Sequence, residues 1–228
     1  MSLEIIATTI ADAKAAEKYG ADRLELSPGM LELGITPSYG LIDSLVKTVD
    51  IPFNAIIRPH SQSFVYDHDD VAVMIKDIQM VKELGGSGIV IGTLTKEHVV
   101  DEKTLKYLLD AAGDLDVTFH KAFDYTRDQH EALACLAKYP KVKRIATSGG
   151  LQSATEVPGK MRELIQLAKQ THLNIMVAGG LHEGNFKAFY NEVKPDEVHF
   201  GSGVRTEGSY LKPIDANKVT TIKNVLQK

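Results

Sequence analysis

The sequence alternates eight times between a short run of branched apolar residues and a longer amphipathic segment. The 228 residues divide into eight units of about 28 residues, roughly the length of a strand, a helix and their loops. Strand-to-helix alternation of this kind predicts parallel strand pairing with right-handed crossovers. Eight units close naturally into a (β/α)8 TIM barrel, and we expect a single domain of this type over residues 1–228.

An open, doubly wound parallel sheet is the alternative architecture. That fold commonly has a glycine-rich turn after its first strand, where the backbone approaches a dinucleotide. Here the turn is Thr8-Thr9-Ile10-Ala11, which has no glycine and therefore favours the barrel. The predicted strands are 3–8, 23–27, 53–60, 88–94, 116–120, 144–148, 174–178 and 197–201, and the predicted helices are 11–19, 38–49, 69–84, 101–112, 128–139, 160–171, 183–193 and 214–227.

The composition argues against several classes of protein. A net charge of −4 predicts no binding to nucleic acid or to an anionic membrane. No apolar run approaches the roughly 20 residues that a membrane-spanning helix needs. Cys135 is the single cysteine, so an internal disulfide and a cysteine-rich metal site are both excluded. Since the N-terminus also lacks the basic start of a signal peptide, we expect a location in the reducing cytoplasm.

The stretch DVTFHKAFD is typical of a strand that ends in functional groups. Thr118, His120 and Asp124 share one side at a period of two, opposite the apolar Val117 and Phe119. Polar side chains inside and apolar side chains outside are typical of a barrel that has its functional residues at the mouth. We expect six strand ends to meet at one rim around His120, and they carry Glu25, Arg58, His120, Ser148, Gly179-Gly180 and His199.

Glu25 and Arg58 fall on neighbouring predicted strands and on the same face. One interpretation is an internal salt bridge that fills the barrel, because an inward charge is costly unless it is paired. In the other, Arg58 binds a substrate carboxylate or phosphate and Glu25 is a general base. The pattern alone leaves both open.

His120 is the strongest single candidate for a catalytic residue. It is either a satisfied core histidine or a general acid/base whose pKa is tuned by Asp124, since histidine titrates near neutrality. Asp124 has a second possible role as a cap of the segment that follows it. Together with His199, His120 is also a weak candidate for a metal site, because two histidines and a carboxylate can bind zinc or iron.

Glycines follow the last two predicted strands and predict an anion site. Barrels commonly hold a phosphate at this place with free backbone N–H groups, and glycine lets the backbone approach the anion closely. Tight turns between strand and helix would also explain these glycines. The candidate anion-binding residues are Gly179, Gly180, Gly201, Ser202 and Gly203.

Six motifs make the sequence resemble the CutC family from the first strand to the last. They are ADRLEL (21–26), GITPSYG (34–40), IRPHSQSFVY (57–66), VTFHKAFD (117–124), IATSGG (145–150) and EVHFGSG (197–203). The resemblance implies a TIM barrel, a cytoplasmic location and a role in copper homeostasis, with copper as the implied ligand. It places the shared pocket at Glu25, Arg58, Tyr66, His120, Asp124, Thr147, Ser148 and His199.

The chain departs from the family pattern at the positions discussed as copper ligands. Where family members often carry cysteines, this sequence has Ile6, Ala7 and Ser27. His60 and Lys121 stand where arginine is usual or common in the family, and Leu33 stands at a common glycine position. Because Cu(I) prefers thiolate or thioether ligands, a tight Cu(I) site is hard to build here.

Three functional hypotheses therefore remain open. The resemblance implies copper handling or binding. The residues instead predict an enzyme or binder of a small phosphorylated or carboxylated metabolite, with a pocket of Glu25, Arg58, His120, Asp124 and His199. The third is an assembly role, and with any of them we expect a homo-oligomer.

Overall fold

Eight parallel strands form a closed barrel in a computed structural model that describes residues 2–227. The strands follow one another in sequence order, and β1 pairs with β8 to close the barrel, so the predicted TIM barrel is confirmed. The strands are β1 Ser2–Ala7, β2 Arg23–Leu26, β3 Phe53–Ile56, β4 Gly88–Ile91, β5 Asp116–Phe119, β6 Val142–Thr147, β7 Asn174–Val177 and β8 Glu197–Phe200.

A helix follows each strand. The helices are α1 Ile10–Tyr19, α2 Tyr39–Val46, α3 His68–Glu83, α4 Glu102–Ala112, α5 Gln129–Leu136, α6 Pro158–Ala168, α7 Glu183–Val193 and α8 Ala216–Leu226. Within the described residues, no helix is both long and apolar enough to cross a membrane.

The differences from the predicted boundaries have local causes. β3 ends at Ile56, four residues before the predicted end, and the N–H of Arg58 donates to the Thr36 hydroxyl instead of to β4. Asp101 precedes α4 instead of starting it, since its carboxylate caps the N–H groups of Lys103 and Thr104. α8 likewise starts after its capping residue, Asp215.

The two faces of the barrel strands have opposite chemistry. Outward side chains such as Val117 and Phe119 are fully buried in the apolar layer between strands and helices. Their neighbour Thr118 points inward, where its hydroxyl meets Asn54 and Arg144. The alternation predicted for β5 is therefore confirmed.

An ion network occupies the lower part of the barrel interior. The Arg23 guanidinium contacts Glu4 at 2.5 Å and Glu197 at 2.7 Å. Arg144 contacts the same Glu197 at 3.0 Å and Asp116 at 2.6 Å. Each buried charge thus has an opposite charge beside it, which offsets its desolvation. This floor places the open end of the barrel at the C-terminal ends of the strands.

A second buried ion pair ties the loop after β8 to the start of the chain. Arg205 is 1% exposed and forms two hydrogen bonds with Asp12 of α1, at 3.1 and 2.7 Å. It also donates to the carbonyl oxygens of Ile6 and Lys212. The pair holds the loop that borders the mouth against β1 and α1.

Replacing Arg205 with Met should lower the free energy of unfolding by about 3–5 kcal/mol, because Asp12 would lose its buried partner. Urea denaturation monitored by circular dichroism measures the change. The matched control is Arg162→Met, which breaks the half-exposed pair with Glu192 and should cost less than about 1 kcal/mol. Equal losses in the two variants would contradict a structural role for the Arg205 pair.

Candidate active site

A cavity of about 1060 Å³ opens at the C-terminal mouth of the barrel. It brings together most of the candidate residues predicted from the sequence, although they come from distant parts of the chain. The predicted residues that line it are Glu25, His120, Asp124, Ser148, Gly179, Gly180, His199, Gly201, Ser202 and Gly203. Arg58, Tyr66 and Thr147 lie outside its lining.

A buried cluster of Glu4, Glu25 and His199 lies beside the cavity. The parallel register places Glu4 opposite His199 and Ile6 opposite Glu25. His199 Nδ1 lies 2.7 Å from Glu4 Oε1 and 4.0 Å from Glu25 Oε2. Sequence analysis missed Glu4; a charged residue at an inward position of an otherwise apolar strand was the available signal.

The three members of this cluster have different pKa shifts. Burial would raise the pKa of Glu4, but hydrogen bonds and charge from His199 and Arg23 outweigh it and lower the pKa to about 2. Burial raises the pKa of Glu25 to about 7, and the charge on Glu4 adds to the increase, although His199 partly offsets it. Burial disfavours a charged His199, yet the Glu4 hydrogen bond and the two carboxylates raise its pKa.

As a result, the Glu25 carboxyl group changes its protonation state near neutral pH. Glu4 takes the hydrogen bond from His199 and the direct contact with Arg23. Glu25 is left with the more distant His199 and with a partner hydroxyl, Ser27, that lowers its pKa only in part. A carboxyl with a pKa near 7 is suited to general acid/base catalysis.

His120 is a neutral histidine in this structure. Its Nδ1 accepts a hydrogen bond from the backbone N–H of Ala122 at 3.0 Å, so the neutral ring carries its proton on Nε2. Burial lowers the pKa of His120 to about 3, with a further contribution from the positive charge of Arg58. The predicted tuning by Asp124 is therefore wrong, and a base that titrates near neutrality is not what this environment produces.

Asp124 instead organises the loop after β6. Its carboxylate accepts from the hydroxyl of Thr147, from the backbone N–H and hydroxyl of Ser148 at 3.0 and 2.8 Å, and from the Gly150 N–H at 2.9 Å. Gln129 also donates to it, at 3.2 Å. These contacts leave Asp124 as the positioning residue for the IATSGG motif and not as a partner of His120.

Arg58 does not pair with Glu25, so the predicted salt bridge between them is not formed. The guanidinium donates to the backbone carbonyls of Glu32, Gly34 and Ser61, the last two at 3.0 and 3.1 Å. It also lies 4.9 Å from the centre of the Phe64 ring. Arg58 follows the end of β3, where the chain leaves the barrel, and its side chain is drawn into the loops around the mouth.

The glycines after β7 and β8 form one wall of the cavity, the glycine wall. Gly179 and Gly180 have φ angles of 93° and 72°, a region that favours glycine. At Gly203 a Cβ atom would lie 1.9 Å from the carbonyl oxygen of Leu181, so only glycine allows the two loops to touch. Within residues 2–227, the N–H groups of Gly180, Leu181 and Gly203 donate to no protein acceptor.

Two further side chains at the cavity were not predicted as functional residues. Lys121 lines it, and its Nζ lies 3.1 Å from the hydroxyl of Ser148. Tyr210 also lines it, and its hydroxyl approaches Gly201, where a Cβ atom would be 1.9 Å away. Burial raises the pKa of Tyr210 to about 12. Tyr210 is in the loop after β8, and no sequence pattern links a tyrosine there to the barrel mouth.

The described residues contain one group of histidine and acidic side chains close enough to hold a metal ion. It consists of Glu4, Glu25 and His199, with candidate donor atoms within 4.8 Å of one another. His120 is not part of it, so the predicted pair of His120 and His199 is not brought into one ligand set. Glu4 already contacts Arg23 and His199, and a cation would have to displace these positive groups.

Comparisons with known proteins relate the whole barrel to one family. The CutC family model matches residues 1–204. A family protein CutC from Klebsiella pneumoniae subsp. pneumoniae is 39% identical over 201 residues, which are 88% of this chain and 80% of that protein. One from Histophilus somni is 32% identical over the full length of both chains.

Solved structures agree with this relationship. A CutC from Streptococcus agalactiae, named for copper homeostasis, aligns with a TM-score of 0.82 at 28% identity, covering 88% of this chain and 98% of that one. Phosphoribosyl anthranilate isomerase from Thermococcus kodakaraensis aligns over 100% of this chain and 99% of that one with a TM-score of 0.64. At 20% identity, this second likeness concerns the fold alone.

The pKa of Glu25 predicts how stability depends on pH. The folded protein holds a proton on Glu25 between about pH 4.5, the ordinary value, and about pH 7, where the unfolded chain has lost it. Stability from this group is present below that range and falls as the pH rises through it. Relative to Glu25→Gln, the wild-type protein should lose about 3 kcal/mol between pH 4.5 and pH 8.

Urea denaturation at the two pH values measures this difference. Glu83→Gln, at an exposed position of α3, is the matched control, and its difference from wild type should not change with pH. A difference for Glu25→Gln that is the same at both pH values would contradict the raised pKa.

Proposed function

The chain belongs to the CutC family, and we propose from the chemistry of its cavity that this member is an enzyme of proton transfer acting on a small anionic metabolite. The proposal depends on the buried Glu25 carboxyl. This group has a pKa of about 7 and lines a large cavity. In TIM barrels the C-terminal mouth is where catalytic residues collect. A carboxyl poised near neutrality exchanges a proton with a ligand more readily than an ordinary glutamate.

The proposed proton transfer uses Glu25 as the base and acid of one cycle. The ionised carboxylate accepts a proton from a carbon of the ligand, and the electron pair of the broken C–H bond stays on the ligand. The protonated Glu25 then returns the proton to the same carbon or a neighbouring one. His199, at 4.0 Å, stabilises the ionised state of Glu25.

The glycine wall supports a phosphate group as the anionic part of the ligand. The unpaired N–H groups of Gly180, Leu181 and Gly203 border the cavity from two adjacent loops. Backbone N–H groups that have no protein acceptor and lie at the edge of a cavity favour an anion. Lys121 and Lys218 also line the cavity, and they add positive charge near its rim.

Copper handling is the second candidate, because a relative in the family is named for copper homeostasis. The donor atoms of this chain do not fit a Cu(I) site. Ser27 stands at one family cysteine position, and beside it is a single thioether, with Met30 Sδ at 3.2 Å from the Ser27 hydroxyl. Cys135 lies on α5, outside the cavity, and burial and the nearby Glu102 raise its pKa to about 11.

We therefore propose that a copper-related role of this member does not depend on a stoichiometric Cu(I) site. A soft ion prefers thiolates and thioethers, whereas the cavity offers carboxylates, imidazoles and amides, with the Met30 thioether as the single sulfur atom in its lining. The cytoplasmic location and the homo-oligomer stay predictions.

Proton transfer can be tested before the substrate is identified. Purified protein is incubated in D2O with a mixture of small phosphorylated and carboxylated metabolites, and mass spectrometry detects those that gain deuterium. We expect wild-type protein to label at least one compound and Glu25→Gln to label it at least about 100-fold more slowly, the usual size of an acid/base contribution. Glu83→Gln, an exposed control, should behave as wild type.

No labelling by wild-type protein, or equal labelling by Glu25→Gln, would contradict proton transfer through Glu25. A separate variant, Gly203→Ala, tests the glycine wall, since its Cβ would enter the contact with Leu181. It should weaken phosphate binding by about tenfold or more. The control is Gly40→Ala, where a Cβ meets nothing within 4 Å.

The copper proposal predicts that the purified protein does not retain Cu(I). After incubation with excess Cu(I) and removal of unbound ion, metal analysis should find well under one copper ion per chain. Cys135→Ser should not change this value, because the thiol lies outside the cavity and is the only cysteine in the sequence. One equivalent of Cu(I) that survives a competing Cu(I) chelator would contradict the proposal.

A further inference from the structure

The cavity is larger than a phosphate group and a reacting carbon beside Glu25 would require. Its volume of about 1060 Å³ is at the upper end of the range for sites that hold a drug-sized ligand, roughly 300–1,000 Å³. A small sugar phosphate would leave much of this space to water. The side chains that line the rest of the cavity therefore indicate what a further part of the ligand is.

Five apolar or aromatic side chains line the cavity on the side of β2, β3 and β5, and we call them the apolar arc. Ile56 ends β3, and the other four belong to the loops after β2, β3 and β5. A Cβ atom at Gly34 would lie 2.9 Å from Ile56 Cδ1 and 3.7 Å from the Met30 sulfur, so these two side chains converge. The rings of Phe64 and Tyr125 meet edge to face at 5.4 Å. The members of the arc are Met30, Leu33, Ile56, Phe64 and Tyr125.

The apolar arc lies across the barrel mouth from the glycine wall. The strands follow one another around the barrel in sequence order, so β3 is half of the circumference away from β7. Glu25 belongs to β2, which lies between β8 and β3 on this path. A ligand with its phosphate at the glycine wall would therefore pass Glu25 and reach the apolar arc with its other end.

Leu33 has a backbone conformation that a leucine adopts only at an energetic cost. Its φ and ψ angles are 64° and 26°, in the left-handed region where the Cβ atom crowds a carbonyl oxygen. Among residues 2–227, it is the only large apolar residue with a positive φ. The side chain is 46% exposed and lines the cavity, so burial within the protein offsets little of this cost. A strained residue at the edge of a cavity favours a role in ligand binding.

The polar neighbour of the arc is uncharged at neutral pH. The centre of the His120 ring lies 5.0 Å from that of Phe64. Burial lowers the pKa of His120 to about 3, with a contribution from the charge of Arg58, so the imidazole is neutral. An apolar ligand group on this side would not have to remove water from an imidazolium ion, which is costly when no partner replaces the water.

We infer that the apolar arc is a subsite for an uncharged apolar group of the ligand, about the size of a six-membered ring, and that Leu33 determines specificity for this group. The inference rests on the proposed function, because it names a second part of the ligand whose phosphate binds at the glycine wall. The ligand class is then a phosphorylated metabolite with an apolar ring or branched alkyl group, and not a small sugar phosphate.

Phenyl phosphate and methyl phosphate are suitable probes, because they share the phosphate and differ in the apolar group. Isothermal titration calorimetry at pH 8, where both esters are dianions, measures the affinity of each. We expect phenyl phosphate to bind about tenfold or more tightly than methyl phosphate, since its ring is removed from water. Inorganic phosphate should compete with both esters, and the heat capacity change should be more negative for phenyl phosphate.

Leu33→Gly and Leu31→Gly are a matched pair of variants in one loop. Leu33→Gly removes an apolar contact and should reduce the preference for phenyl over methyl phosphate about three- to fivefold, with the affinity for methyl phosphate unchanged. It should also raise the urea midpoint, because glycine adopts a positive φ without strain. Leu31 is 83% exposed, belongs to the short helix 30–32 and lies outside the cavity lining. Leu31→Gly should therefore lower the midpoint and keep the preference.

Three results would overturn the inference. They are equal affinities for the two esters, a preference for phenyl phosphate that Leu33→Gly leaves intact, and a urea midpoint that Leu33→Gly lowers as much as Leu31→Gly does. None of them removes the phosphate site or proton transfer, because methyl phosphate binding and deuterium labelling test these separately. Failure of both esters to bind would overturn the glycine wall and this subsite together. Tighter binding of phenyl phosphate with no deuterium labelling would support the apolar subsite and contradict the enzyme.

Discussion

The charge on Glu4 is the constraint on which the arrangement of the barrel mouth depends. This carboxylate is fully buried, and an ionised group in such a place requires positive partners. Arg23 and His199 supply them from the two strands that flank β1. Because both partners are committed to Glu4, the neighbouring Glu25 is the carboxyl that gives up its charge near neutral pH. Burial is the main cause of the raised pKa of Glu25, and the charge on Glu4 adds to it.

The two histidines of the cavity, His120 and His199, show how the position of a side chain within the barrel determines its pKa. His199 faces the carboxylates of β1 and β2, and its pKa is raised. His120 faces Arg58 and an aromatic ring, and its pKa falls to about 3. Both lie near the C-terminal ends of strands, at positions predicted to face inward, so the sequence pattern does not distinguish them. Only the neighbours contributed by other parts of the chain separate an imidazole with a raised pKa from one with a lowered pKa.

The sequence was sufficient to predict the fold and most of the residues at the barrel mouth. It was not sufficient to predict which side chains pair with one another. Strand parity identified Glu25, His120 and His199 as inward, because a period of two is a local property. Parity also suggested that Arg58 would meet Glu25, but β3 ends before Arg58 and the loops capture its guanidinium. The hydrogen bonds of Asp124 to the loop after β6 depend on tertiary contacts that no spacing in the sequence encodes.

The pKa of Glu25 is the quantity that tests the proposed chemistry most directly. It can be measured by ¹³C NMR of the side-chain carboxyl carbons in protein labelled with ¹³C-glutamate, with Glu25→Gln to assign the signal. We predict a midpoint near pH 7. A midpoint near 4.5, the ordinary value for a glutamate, would mean that Glu25 is fully ionised at neutral pH and would contradict its role as a poised acid and base.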